Sequence, residues 1–66
     1  MYVVKFIRKD NQPEENYFYN DLKDAMDHLN LFFGDDSGLY KKIELVEART
    51  NKTISYIQFW YTVRES

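Results

Sequence analysis

Apolar and polar positions alternate at the start of the chain. Tyr2, Val4 and Phe6 fall on one side of an extended segment, and Val3, Lys5 and Ile7 fall on the other. A period of two is the mark of a β-strand, so residues 1–8 read as the first strand. Lys9 to Glu15 is polar, contains the only proline and reads as a loop. Asn16-Tyr17-Phe18-Tyr19 is then a short second strand that returns antiparallel to the first. The period changes after it. Leu22, Ala25, Met26, Leu29 and Phe33 stand at i, i+3, i+4, i+7 and i+11, which places them on one stripe of an α-helix. Asn20 or Asp21 can cap its N-terminus, and Asp21 and Asp24 suit the positive end of the helix dipole. Gly34 ends the helix because it tolerates the left-handed conformation that follows a last turn. Asp35-Asp36-Ser37-Gly38 is a loop.

From Leu39 to Arg64 the chain reads as one hairpin that is apolar on both faces. A loop of Thr50-Asn51-Lys52 sets Ile43 opposite Phe59, Leu45 opposite Ile57 and Lys41 opposite Tyr61 on one face. The other face then pairs Ala48 with Ile54, Val46 with Tyr56, Glu44 with Gln58 and Lys42 with Trp60. A two-residue loop sets Glu44 against Phe59 and Leu45 against Gln58. A slip of one residue turns every side chain over, so the apolar pattern selects the longer loop. That loop needs a non-glycine residue at positive φ, Asn51 or Lys52, and asparagine tolerates it better.

These elements predict a single α+β domain over residues 1–66. Two β-hairpins and one helix, in the order ββαββ, place the helix on one face of a mainly antiparallel four-stranded sheet. The same order of elements occurs in β-grasp domains, a likeness of topology that no residue motif carries. The order leaves open whether the first and last strands lie side by side in parallel. One helix covers one face. With Ile43, Leu45, Ile57 and Phe59 under the helix, Val46, Ala48, Ile54, Tyr56 and Trp60 remain on the other. A chain of 66 residues lies near the lower size limit for independent folding. It has no cysteine, which excludes disulfides, thiolate zinc sites and cysteine nucleophiles. Dense aromatic packing (18% Phe, Tyr and Trp) and self-association are the remaining means of compensation.

Net charge is only −2, but it is unevenly spread. Residues 1–9 carry Lys5, Arg8 and Lys9 with no acid, whereas residues 10–38 carry eight acids against Lys23 alone. Residues 39–66 carry five bases and three acids. The strands are thus mildly basic and the helix side acidic, which can orient a partner. The open hairpin face, with Val46, Ile54, Tyr56, Trp60 and Lys42, is the expected interaction surface, since interface centres favour aromatic and aliphatic side chains. Its expected partner is a protein, including a second copy in a homodimer. The alternative is single-stranded nucleic acid, with bases stacked on Tyr56 and Trp60 and phosphates tracked by Lys42 and Lys5. That reading is the weaker one, because aliphatic residues fill the face and no RNP-type motif is present.

Catalytic and metal chemistry find little support. Asp35-Asp36-Ser37-Gly38 lacks the alternating acids and distal glutamate of a calcium loop. Asp24, Asp27 and His28 fall on the polar side of the helix, and Glu14-Glu15 is a solvated pair after Pro13. No catalytic residue, cofactor, metal or small-molecule substrate is expected. The first eight residues are too charged for a signal peptide, and no apolar run approaches the length of a membrane span. The Asn51-Lys52-Thr53 sequon is explained by the turn. The expected address is the cytoplasm.

Overall fold

The computed structural model describes residues 1–59, arranged as β1 (Tyr2–Arg8), β2 (Glu15–Tyr19), α1 (Leu22–Asn30), β3 (Tyr40–Glu47) and β4 (Lys52–Gln58). The four strands form one antiparallel sheet in the order β2-β1-β3-β4. β1 therefore lies beside β3, antiparallel, and the first and last strands are not neighbours. The two hairpins are joined through their N-terminal strands, with the Ala48 N–H donating to the Met1 carbonyl at 3.0 Å where β1 begins.

Alternation decides which side each strand residue takes. Val4, Phe6, Ile43 and Leu45 face α1 and are buried together with Ala25 and Leu29. Val4 pairs with Leu45 and Phe6 with Ile43 across the two central strands. The helix lies over β2, β1 and β3. Ile57 and Phe59, towards the far edge, pack on this core but are only half-buried. Phe6 is the hub of the core's aromatic part. Its ring meets Tyr17 at 5.4 Å, Phe32 at 4.9 Å and Tyr40 at 5.2 Å between centroids, each edge to face. Such pairs add about 0.5–1.5 kcal/mol each beyond the area they bury.

The second hairpin keeps the expected faces but not the expected register. Ile43 pairs with Ile57 instead of Phe59, Glu44 with Tyr56, and Leu45 with Ser55. Near the turn the pairs are Val46 with Thr53 and Glu47 with Lys52, so the loop is the four residues 48–51. Asn51 takes φ 60°, and its N–H donates to the Glu47 carbonyl at 2.7 Å. The longer loop shifts the register by an odd number, which on its own turns β4 over. Ile54 is the extra residue between Thr53 and Ser55, and this bulge restores the parity. Ala48 lies in the turn, so its expected pairing with Ile54 is not formed. Trp60 and Tyr61, expected opposite Lys42 and Lys41, lie outside the described residues.

The helix also ends earlier than its stripe implies. Asp21 is the N-cap, without a side-chain capping bond, and the last helical residue is Asn30. The chain then tightens: Phe32 N–H bonds the Leu29 carbonyl at 3.1 Å and Phe33 N–H bonds Asn30 at 3.1 Å, both spanning three residues. In such a turn i and i+3 eclipse, so Phe32 takes the place over Leu29 that the α-helical period assigns to Phe33. Phe32 packs on the core, whereas Phe33 is 79% exposed. Gly34, at φ 86°, carries the chain away.

Phe6→Ala is expected to cost about 3–5 kcal/mol in urea unfolding, as for other buried phenylalanines. Phe33→Ala should change stability by no more than about 0.5 kcal/mol. The reverse order of the two effects contradicts the placement of Phe32 over Leu29.

Candidate functional site

The face of the sheet away from α1 gathers side chains from all four strands into cross-strand rows. Phe18, Val3 and Val46 stand side by side, and the bulge extends this row with Thr53 and Ile54. Beneath it lie Asn16, Lys5, Glu44 and Tyr56, and then Ile7, Lys42 and Gln58. Val3 and Val46, at the centre of the first row, are 4% and 3% exposed. The flanking apolar groups are open: Phe18 is 62% exposed, Ile54 42% and Tyr56 56%. Strand order causes this gradient, since central strands have neighbours on both sides and edge strands on one.

The face carries both signs of charge. Lys42 Nζ lies 3.2 Å from the Glu44 carboxylate and 5.0 Å from the centroid of the Tyr56 ring. Residues two apart on one strand share a face, and Tyr56 is the cross-strand partner of Glu44. The ammonium thus meets a carboxylate and the negative face of an aromatic ring. Lys5 pairs across the sheet with Glu44 as well. Glu44 therefore sits between two cations.

Of the residues assigned to this surface from sequence, Val46, Ile54, Tyr56 and Lys42 are brought together on one face. Trp60 lies outside the described residues, and Ala48 is displaced into the turn. Phe18, absent from that assignment, is the most exposed aromatic of this face among the described residues. Its signal was present in the alternation of β1, which puts Val3 on this side. Fixing the first hairpin so that Val3 meets Phe18 brings Phe18 in.

His28 is not on a solvated polar surface. Its ring packs among Phe6 at 5.2 Å, Tyr17 at 5.1 Å, Tyr19 at 5.6 Å and Phe32 at 5.9 Å, and Nδ1 lies 2.7 Å from the Tyr19 hydroxyl. Burial pushes the His28 pKa down. Asp27 instead pairs with Lys23 at 3.0 Å on the outside of the helix. The three side chains therefore do not converge on one point. Glu15 is a partly exposed acid with two partners: it accepts the Tyr17 hydroxyl at 3.0 Å and lies 3.9 Å from Arg8. Arg8 forms a two-pronged pair with Asp10 at 3.0 and 2.7 Å, which holds the Asp10 carboxyl down at about 2. These groups line a shallow depression with Gln12 and Pro13. In the Asp35–Gly38 loop, Asp35 Oδ2 accepts both the Ser37 hydroxyl at 2.6 Å and its N–H at 3.3 Å.

Among the described residues no group of three or more His, Asp or Glu side chains is placed to hold a metal ion, and no helix is long and apolar enough to cross a membrane. Comparison with known proteins assigns no family: no family model matches the chain, and no curated protein or solved structure shows significant similarity to it.

The His28 environment has a measurable consequence. A histidine whose folded pKa lies below its unfolded value makes the unfolded chain bind more protons between the two. Its contribution to stability is therefore complete above about pH 6.5, the unperturbed value, and is lost as pH falls through the lowered folded pKa. The urea midpoint of the wild type should fall from pH 7.5 to pH 5, and His28→Gln should flatten that slope. An equal slope in both proteins rules out His28 as its source.

Proposed function

We propose that this chain is a protein-binding module that associates with a second copy of itself through the outer face of its sheet. The observation that carries this reading is the set of Phe18, Ile54 and Tyr56, all more than 40% exposed around the buried Val3–Val46 pair. Isolated apolar side chains on a surface are ordinary, but an apolar row that crosses all four strands has the composition of an interface centre. Burying such a patch gains about 25 cal/mol per Å² of apolar area. A 66-residue domain with one helix gains more from this than a large one does.

Charge favours a copy of the same chain as the occupant. Glu44 lies between Lys5 and Lys42, so a two-fold arrangement can bring the lysines of one face to the glutamate of the other. Self-complementarity of this kind is what an isologous contact requires. The same pattern weighs against nucleic acid. A phosphate approaching Lys42 meets Glu44 at 3.2 Å from the ammonium, and the carboxylate opposes it. The cytoplasm remains the compartment we assign to the protein, and catalysis is not part of this proposal.

Sedimentation equilibrium at micromolar concentration tests the reading. The wild type should be heavier than one chain. Phe18→Glu should lower that mass while the circular dichroism of the fold persists. A 20-nucleotide single strand should leave the sedimentation of the wild type unchanged at about 0.15 M salt. A wild-type mass that Phe18→Glu does not alter removes the face from the contact. Salt-dependent binding of the oligonucleotide reverses the order of the two readings.

A further inference from the structure

The sheet has two edges, and they differ. β2 is five residues long, follows Pro13 and Glu14, and opens with Glu15, which is engaged by Tyr17 and Arg8. β4 forms the other edge, with a partner on one side only among the described residues. Proteins commonly guard an edge strand with charge, proline or a bulge, because its unpaired N–H and C=O groups are a template for another strand. β4 has a lysine at its first residue and a bulge at Ile54. Beyond the bulge the guarding stops. Ser55 to Gln58 pair in unbroken register with Leu45 to Lys42, and none of the four is charged. The sequence carries neither a charged residue nor a proline from Thr53 through Val63.

We propose that β4 pairs antiparallel with β4 of a second copy, about a two-fold axis at Tyr56, to make one eight-stranded sheet. Two-fold pairing sets each strand against itself, so a charge near the axis meets its own like. Like charges directly opposite are destabilising, and a stretch with no charge around the axis avoids this. Ser55 to Gln58 meet that condition. With the axis at Tyr56, Tyr56 faces the second copy's Tyr56, and Ser55 faces the second copy's Ile57. Opposed aromatic residues are among the favourable cross-strand pairs. The Lys42 ammonium, 5.0 Å from the Tyr56 ring, is already held by Glu44 at 3.2 Å. The axis stands normal to the sheet, so both outer faces point the same way. The exposed Ile54 and Tyr56 of each chain then lie beside those of its copy, and the two apolar faces become one surface. The edge contact is separate from face-to-face contact and does not depend on it.

The chain has no native cysteine, so single cysteines report the contact directly. Opposed residues of an antiparallel pair have Cα atoms about 4.5–5.5 Å apart, within the range a disulfide spans. Tyr56→Cys should form a disulfide-linked dimer on mild oxidation at micromolar concentration. It should do so equally in the Phe18→Glu background, where face contact is weakened. Asp24→Cys, on the exposed side of the helix, should remain largely monomeric under the same conditions. Hydrogen exchange on the unmodified chain supplies the second readout. Raising the concentration should slow exchange of β4 amides at least tenfold and leave β2 unchanged. Cross-linking of Tyr56→Cys no greater than that of Asp24→Cys overturns the proposal, as does concentration-independent exchange in β4. Cross-linking abolished by Phe18→Glu also overturns it, and assigns the contact to the face. Loss of the edge signals together with a mass still lowered by Phe18→Glu removes this inference and leaves the face contact standing.

Discussion

A nine-residue helix is about 13 Å long, and it has a four-stranded sheet to cover. That mismatch governs the rest of the molecule. The helix can lie on one face only, and it sits over β2, β1 and β3, which leaves the β4 side of the same face half-covered. What is buried is therefore concentrated on the two central strands, around Val4, Phe6, Ile43 and Leu45. Within the sheet, what is exposed falls at the edges and on the opposite face. The core and the candidate contact surface are two consequences of the same shortage of helix.

Phe6 shows how the covered face reaches sufficient density without large elements. One ring on a central strand is enclosed by Tyr17 from β2, Phe32 from the tightened end of the helix and Tyr40 from β3. His28 completes the ring cluster and ties the helix to β2 through the Tyr19 hydroxyl. In a domain without disulfides, this aromatic packing links β1, β2, β3 and the helix around one point. It also accounts for the depressed basicity of His28, a ring enclosed by other rings with a phenol hydroxyl at its Nδ1.

The uncovered face follows the opposite rule. Its charges are few, with the Glu44 carboxylate set between Lys5 and Lys42, and its apolar groups are open at both ends of a row whose centre is buried. In the proposed contact, the carboxylate between the two ammonium groups and the exposed aromatic groups favour a second copy over a polyanion. The proposed β4 edge contact would add a second route to the same partner, because Ser55 to Gln58 carry no charge around its axis.

Periodicity in the sequence determined the number, type and order of the elements, and it determined which side of the sheet each strand residue takes. Val46, Ile54, Tyr56 and Lys42 could be assigned to one face for this reason: a period of two depends only on local backbone geometry. Register was not legible in the same way. Replacing the pair Ile43–Phe59 by Ile43–Ile57 leaves every residue on its face, so the pattern cannot distinguish them, and the four-residue turn with its compensating bulge at Ile54 decided between them. The exchange of Phe33 for Phe32 arises similarly, because three-residue hydrogen bonds after Asn30 change the period where the α-helical count assumes it constant. Phe18 joins the sheet surface, and His28 turns from the polar side of the helix into the aromatic cluster, through contacts between separate segments of the chain. Only tertiary structure sets such contacts, since they depend on which strands become neighbours.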